Sequence, residues 1–107
     1  MNLRGTLPTL ILEVLEREPN HGYRIAQQIK QRSKGVLDFK EGTLYPALHK
    51  LENEGLIESF EGEERGRARR YYRITEEGHG ALKKGREEWR KKSTAVSIIL
   101  GGAANEA

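Results

Sequence analysis

The chain has no cysteine, one methionine, one tryptophan and three prolines in 107 residues. Without cysteine there can be neither disulfides nor thiolate metal sites, so packing alone has to hold the fold. The histidines, at positions 21, 49 and 79, are too far apart in sequence for a local metal-ligand motif, and no metal or cofactor is expected. No apolar run approaches the roughly eighteen residues that a membrane helix needs, so no membrane contact is expected. The N-terminal MNLRGTLPTL also lacks the apolar core of a signal peptide, which predicts a cytoplasmic location. Catalytic signatures are missing as well. The four serines sit in no hydrolase motif, there is no GxxxxGK[ST] or GxGxxG phosphate loop, and no carboxylate pair lies in an apolar setting. An enzyme is not expected.

What the chain does have is charge, unevenly placed. The formal net charge is only +3. Residues 1 to 60 balance eight basic against eight acidic side chains, whereas Arg65 to Arg73 holds five arginines and no acid. A local basic excess of this kind is a footprint for nucleic acid.

The most informative stretch is KEGTLYPALHKLENEGLIE, Lys40 to Glu58. Leu44, Ala47, Leu48 and Leu51 recur at helical spacing and predict one buried face. The opposite arc carries Thr43, Tyr45, Pro46, His49, Lys50 and Asn53, a polar set that no core requires. Pro46 has no N–H and is expected within the first turn, and Gly55 is expected to cap the C-terminus. A helix, a glycine and then the extended run from Leu56 is the order in which a recognition helix feeds a wing.

Upstream, Leu7, Leu10, Ile11, Val14 and Leu15 predict a first helix starting beside Thr6 and Pro8 and ending near Glu18. Asn20 is the expected cap of a second helix with Gly22, Ile25, Ala26 and Ile29 on one face, ending near Ser33. Downstream, Leu56–Phe60 and Arg70–Ile74 read as short strands around the nine-residue loop EGEERGRAR. Arg65, Arg67 and Arg69 in that loop are the first candidates for phosphate contact. Tyr71 and Tyr72 alternate faces, so one of them is expected in the core.

Thr75 with Glu76 and Glu77 starts the last helix. Gly78, Leu82, Gly85, Trp89, Lys92, Val96 and Ile99 alternate spacings of four and three, a heptad seam. Such a stripe on a projecting helix predicts a homodimer with Leu82, Gly85, Trp89, Val96 and Ile99 in the interface. Gly101 and Gly102 are expected to end the helix, with residues 103–107 as a frayed tail.

EGTLYPALHKLENEGLIES, preceded by HGYRIAQQI and followed by RRYYRITEEG, resembles the PadR family of bacterial transcriptional regulators. The resemblance implies a mostly α fold with a small β-hairpin: a winged helix-turn-helix over residues 1–74, then a single dimerisation helix over 75–102. It further implies repression relieved by a small molecule, with Thr43 and Tyr45 of the TLY motif contacting DNA. YYRITEEGHGALKKGREEW keeps the spacing of a multidrug-binding member of the family, in which the matching tryptophan stacks on flat aromatic ligands, so Trp89 is the candidate ligand residue. The reading is a DNA-binding regulator acting on an inverted-repeat duplex and answering a small planar aromatic effector. The competing reading is a winged helix that binds only protein or RNA.

Overall fold

The computed structural model describes residues 5–101. Gly102 and the 103–107 tail lie outside the described residues. The elements are α1 (Leu7–Arg17), β1 (Asn20–His21), α2 (Gly22–Arg32), α3 (Glu41–Asn53), β2 (Ile57–Glu64), β3 (Arg67–Ile74) and α4 (Glu76–Leu100). The three strands form an antiparallel sheet in the order β1-β3-β2. No helix among the described residues is long and apolar enough to cross a membrane.

The core is built around α1. Its Leu7, Ile11, Leu12, Val14 and Leu15 meet Ile25 and Ile29 of α2 and Leu44, Leu48 and Leu51 of α3, with Ile57, Tyr72 and Leu82 closing the cluster. The helical stripes read from the sequence face the core, with Leu10, Ala26 and Ala47 only partly buried and Leu12 added to the α1 face. Tyr72 is the core tyrosine of its pair, and burial raises its pKa.

Local structure departs from the sequence reading at several points. Asn20 is not the cap of α2. With His21 it pairs to Tyr72 and Tyr71 as β1, and His21 is the cap, its Nδ1 accepting from Arg24 N–H at 3.3 Å. Thr6 makes no side-chain cap on α1. Because α3 begins at Glu41, Pro46 is its sixth residue and not a first-turn residue, so it offers no helical donor to the Gly42 carbonyl. Gly55, at φ +77°, turns the chain out of α3 as expected. The nine-residue loop is mostly strand. β2 and β3 run eight residues each and are joined by Arg65 and Gly66, both at positive φ (52° and 77°), as a type I′ hairpin turn demands.

The first half of the α4 seam packs against its own chain. Leu82 is fully buried within its own chain, and a Cβ on Gly85 would lie 2.4 Å from Thr9 Oγ1 of α1. Leu82 is spent on packing within the chain, and Gly85, half-buried, lies against α1. The contact is reinforced by charge. Arg86 donates from Nε to Glu13 at 2.9 Å and from Nη2 to Glu16 at 2.9 Å. Burial works to raise the Glu13 pKa, but the bonds and charges of Arg86 and then Arg32 hold it below the usual carboxylate range. Beyond this clamp α4 projects, leaving Trp89, Val96, Ile99 and Leu100 exposed.

Candidate nucleic-acid interface

With Leu44, Leu48 and Leu51 buried, α3 has no rotational freedom, and its other face is presented outward. His49 and Lys50 are exposed there together with Pro46, while Thr43 is half-buried. Tyr45 is different. Its ring lies against the first residue of α2, where a Cβ on Gly22 would meet the tyrosine at 2.8–3.0 Å, and one edge stays open to solvent. The glycine of the HGY stretch is therefore the seat of this ring, and Tyr45 locks α3 to α2.

The wing divides its arginines into two groups. Arg70 donates to Glu52 of α3 at 3.1 Å and to Ser59 at 3.0 Å, and it lies 5.8 Å from the Tyr72 ring. The Ser59 hydroxyl bond, backed by the Arg70 charge, lowers the Glu52 pKa against the effect of burial. Arg73 donates to Glu58 at 2.9 Å and lies 4.5 Å over Phe60. These two arginines brace the wing. Arg65 and Arg67, by contrast, stand exposed at the hairpin tip with no ion pair among the described residues. Arg69 is intermediate, its Nε 3.8 Å from Glu64 Oε1.

The structure places beside this surface residues that the sequence reading did not single out. Tyr23 and Arg24, in the first turn of α2, are exposed beside the wing arginines, and Glu64 stands among them. A basic-residue census passes over Arg24 because it lies in a charge-balanced region, and only β1 brings α2 against the wing.

A family model described as the transcriptional regulator PadR-like family matches residues 11–84. The chain belongs to the PadR-like family of transcriptional regulators. A transcriptional regulator of Mycobacterium tuberculosis is 38% identical over 87 residues, covering 81% of this chain and 76% of that protein. Among solved structures, a transcriptional regulator from Clostridium thermocellum superposes with a TM-score of 0.84 at 37% identity, covering 92% of this chain and 93% of that one. A PadR family transcription regulator from Clostridium difficile gives a TM-score of 0.75 at 34% identity, covering 88% and 97%. This PadR-like chain is thus a winged-helix DNA-binding regulator of transcription, a family whose members are not enzymes.

Proposed function

We propose that the protein is a cytoplasmic, dimeric repressor that reads an inverted-repeat operator and is released by a small planar aromatic effector. Residues 1–74 would be the DNA-binding unit and 75–102 the dimerisation helix. In this reading His49 and Lys50, with Thr43, Tyr45 and Pro46 around them, enter the major groove, and Arg65, Arg67 and Arg69 grip the adjacent backbone. The observation that carries it is the division in the wing: Arg70 and Arg73 are neutralised by Glu52 and Glu58, whereas Arg65 and Arg67 at the tip are exposed with no ion pair among the described residues.

The experiment is a salt titration of duplex binding. Arg65→Asn, Arg67→Ala and Arg69→Ala together are expected to weaken binding to every duplex and to flatten the log K against log salt slope by roughly 0.9 for each contact removed. Asparagine is chosen at position 65 because it tolerates the positive φ there. An unchanged slope would make these arginines solvated bystanders. His49→Ala should instead change base preference, by about 1–3 kcal/mol at the positions it reads, and leave the slope alone.

The effector reading rests on Trp89, 40% exposed, which lines a hollow of about 540 Å³ together with Leu10, Val36, Leu37 and the Glu13–Arg86 pair. An indole face bordered by apolar groups favours flat aromatic compounds, with added attraction if they are cationic. Trp89 is the sole tryptophan, so titrating planar dyes and phenolic acids should quench its emission, and Trp89→Ala should abolish dye binding while leaving the dimer intact. If no compound quenches it, or if Trp89→Ala dissociates the dimer, the residue is a structural anchor only.

A further inference from the structure

The first turn of α2 and the wing enclose a hollow of about 340 Å³ that gathers four arginines, Arg24, Arg65, Arg67 and Arg69, around one carboxylate, Glu64. Nothing in the fold requires that concentration of charge. Glu64 is held in place by His21, which is 4% exposed. The His21 Nδ1 accepts the Arg24 N–H, so in the neutral ring the proton sits on Nε2 and is donated to Glu64 Oε1 at 3.1 Å.

Arg69 is then only half satisfied. Its Nε lies 3.8 Å from the same Glu64 oxygen, too far for a hydrogen bond, and is buried without an acceptor. An unmet buried donor is costly, so Glu64 holds Arg69 only loosely, and the rest of the Arg69 side chain, 38% exposed, lines the hollow. Tyr23 and Gln27 border it and also border a larger hollow that runs along α2 to Tyr45 at the start of α3. The basic cleft therefore continues a track leading from the recognition helix to the wing, which suits one point on a long polyanion better than an isolated ion.

We propose that this hollow seats a phosphodiester of the bound duplex, and that Glu64 is a built-in competitor that restrains Arg69 and so limits sequence-independent affinity. The proposal rests on the wing-contact reading above and adds Arg24 to it. A phosphate oxygen would pair with the exposed part of the Arg69 side chain and be bridged to the first turn of α2, while the Glu64 carboxylate would oppose it by like charge. Limiting the backbone term in this way raises the share of affinity that comes from base contacts, since phosphate contacts carry no sequence information.

The test uses the full chain with Glu64→Gln, which keeps an oxygen acceptor for His21 and removes the charge. Binding to all duplexes should tighten by about fivefold at low salt, the scale of one exposed charge pair. The salt slope should steepen, by at most roughly 0.9, because the Arg69 contact that Glu64 partly neutralises in the wild type then counts in full. Arg24→Ala should weaken binding and flatten the slope without changing which base pairs are preferred. Glu64→Gln with unaltered thermal stability and an unaltered or flatter slope would overturn the proposal, leaving Glu64 as a wing brace. That failure is distinct from failure of the wing-contact reading, in which the triple arginine variant itself keeps the wild-type slope. Inorganic pyrophosphate is the second arm. Measurable calorimetric binding to the DNA-free protein at physiological salt, lost in Arg24→Ala, would make the occupant a free anion and would also overturn the proposal.

Discussion

In the proposed dimer, aspartate at Val96 and Ile99 together should give a monomer that binds operator DNA poorly. Val96 is 37% and Ile99 82% exposed in the single chain, and Leu100 adds apolar surface one turn beyond Val96. This end of α4 lies past the Arg86 clamp, so it contributes nothing to the core that its own chain could lose. A monomer produced by these changes should therefore stay folded. An ionised carboxylate in an apolar interface costs several kcal/mol unless it is paired, more than a dimer held by two helix ends can absorb. The consequence for DNA is larger than for assembly. A two-fold dimer sets two recognition helices about 34 Å apart, one per half-site. Losing the second half-site forfeits an effective-concentration gain of about 10²–10⁴. Sedimentation and a gel-shift titration check both steps. A double variant that still sediments as a dimer would place the interface on another surface.

How far the sequence disclosed this molecule depended on whether a feature was local. The α1 and α3 stripes are periodic within one element, and burial of Ile11, Leu44 and Leu48 follows from spacing alone. The strand β1 is two residues long, and its reason lies in Tyr71 and Tyr72 fifty positions away, so Asn20 reads as a cap when taken alone. The tight hairpin was hidden for a different reason. Two-residue type I′ turns favour Asn-Gly or Asp-Gly, and an arginine at φ 52° carries no such signal. The arginine cluster marked the wing correctly as a region, but which arginines are free depends on Glu52 and Glu58, partners that the hairpin register supplies. For α4 the heptad was visible, but its division between an intramolecular and an exposed half was not. A glycine in a seam looks the same whether it faces a partner helix or Thr9 of its own chain.

That division can be settled by the sign of a stability change. In a solvent-facing helix Gly→Ala stabilises by about 1 kcal/mol. At Gly78 the opposite is expected, because the new Cβ would sit 2.1 Å from the Leu56 carbonyl oxygen and 2.7 Å from Ile74 Cγ1. That carbonyl is held by the Thr75 N–H at 3.1 Å, and the Thr75 hydroxyl donates to Gly55 O at 2.7 Å, so the backbone there cannot yield without undoing the junction of α3, β2 and α4. Overpacking typically costs about 1–3 kcal/mol and can exceed that against backbone, so Gly78→Ala should be destabilising at the upper end of the range. Each kcal/mol corresponds to a fall of about 4–8 °C in Tm for a domain of this size. Gly85→Ala should cost less, since its obstacle is the Thr9 side chain, with Oγ1 at 2.4 Å and Cγ2 at 3.0 Å. Thr9→Ala removes both atoms. The double variant Thr9→Ala with Gly85→Ala should therefore regain most of the lost Tm, giving a favourable coupling of about 1 kcal/mol or more between the two positions. If Gly85→Ala alone raises Tm and the cycle shows no coupling, α4 does not pack on α1 at this point and Gly85 returns to the face available to a partner.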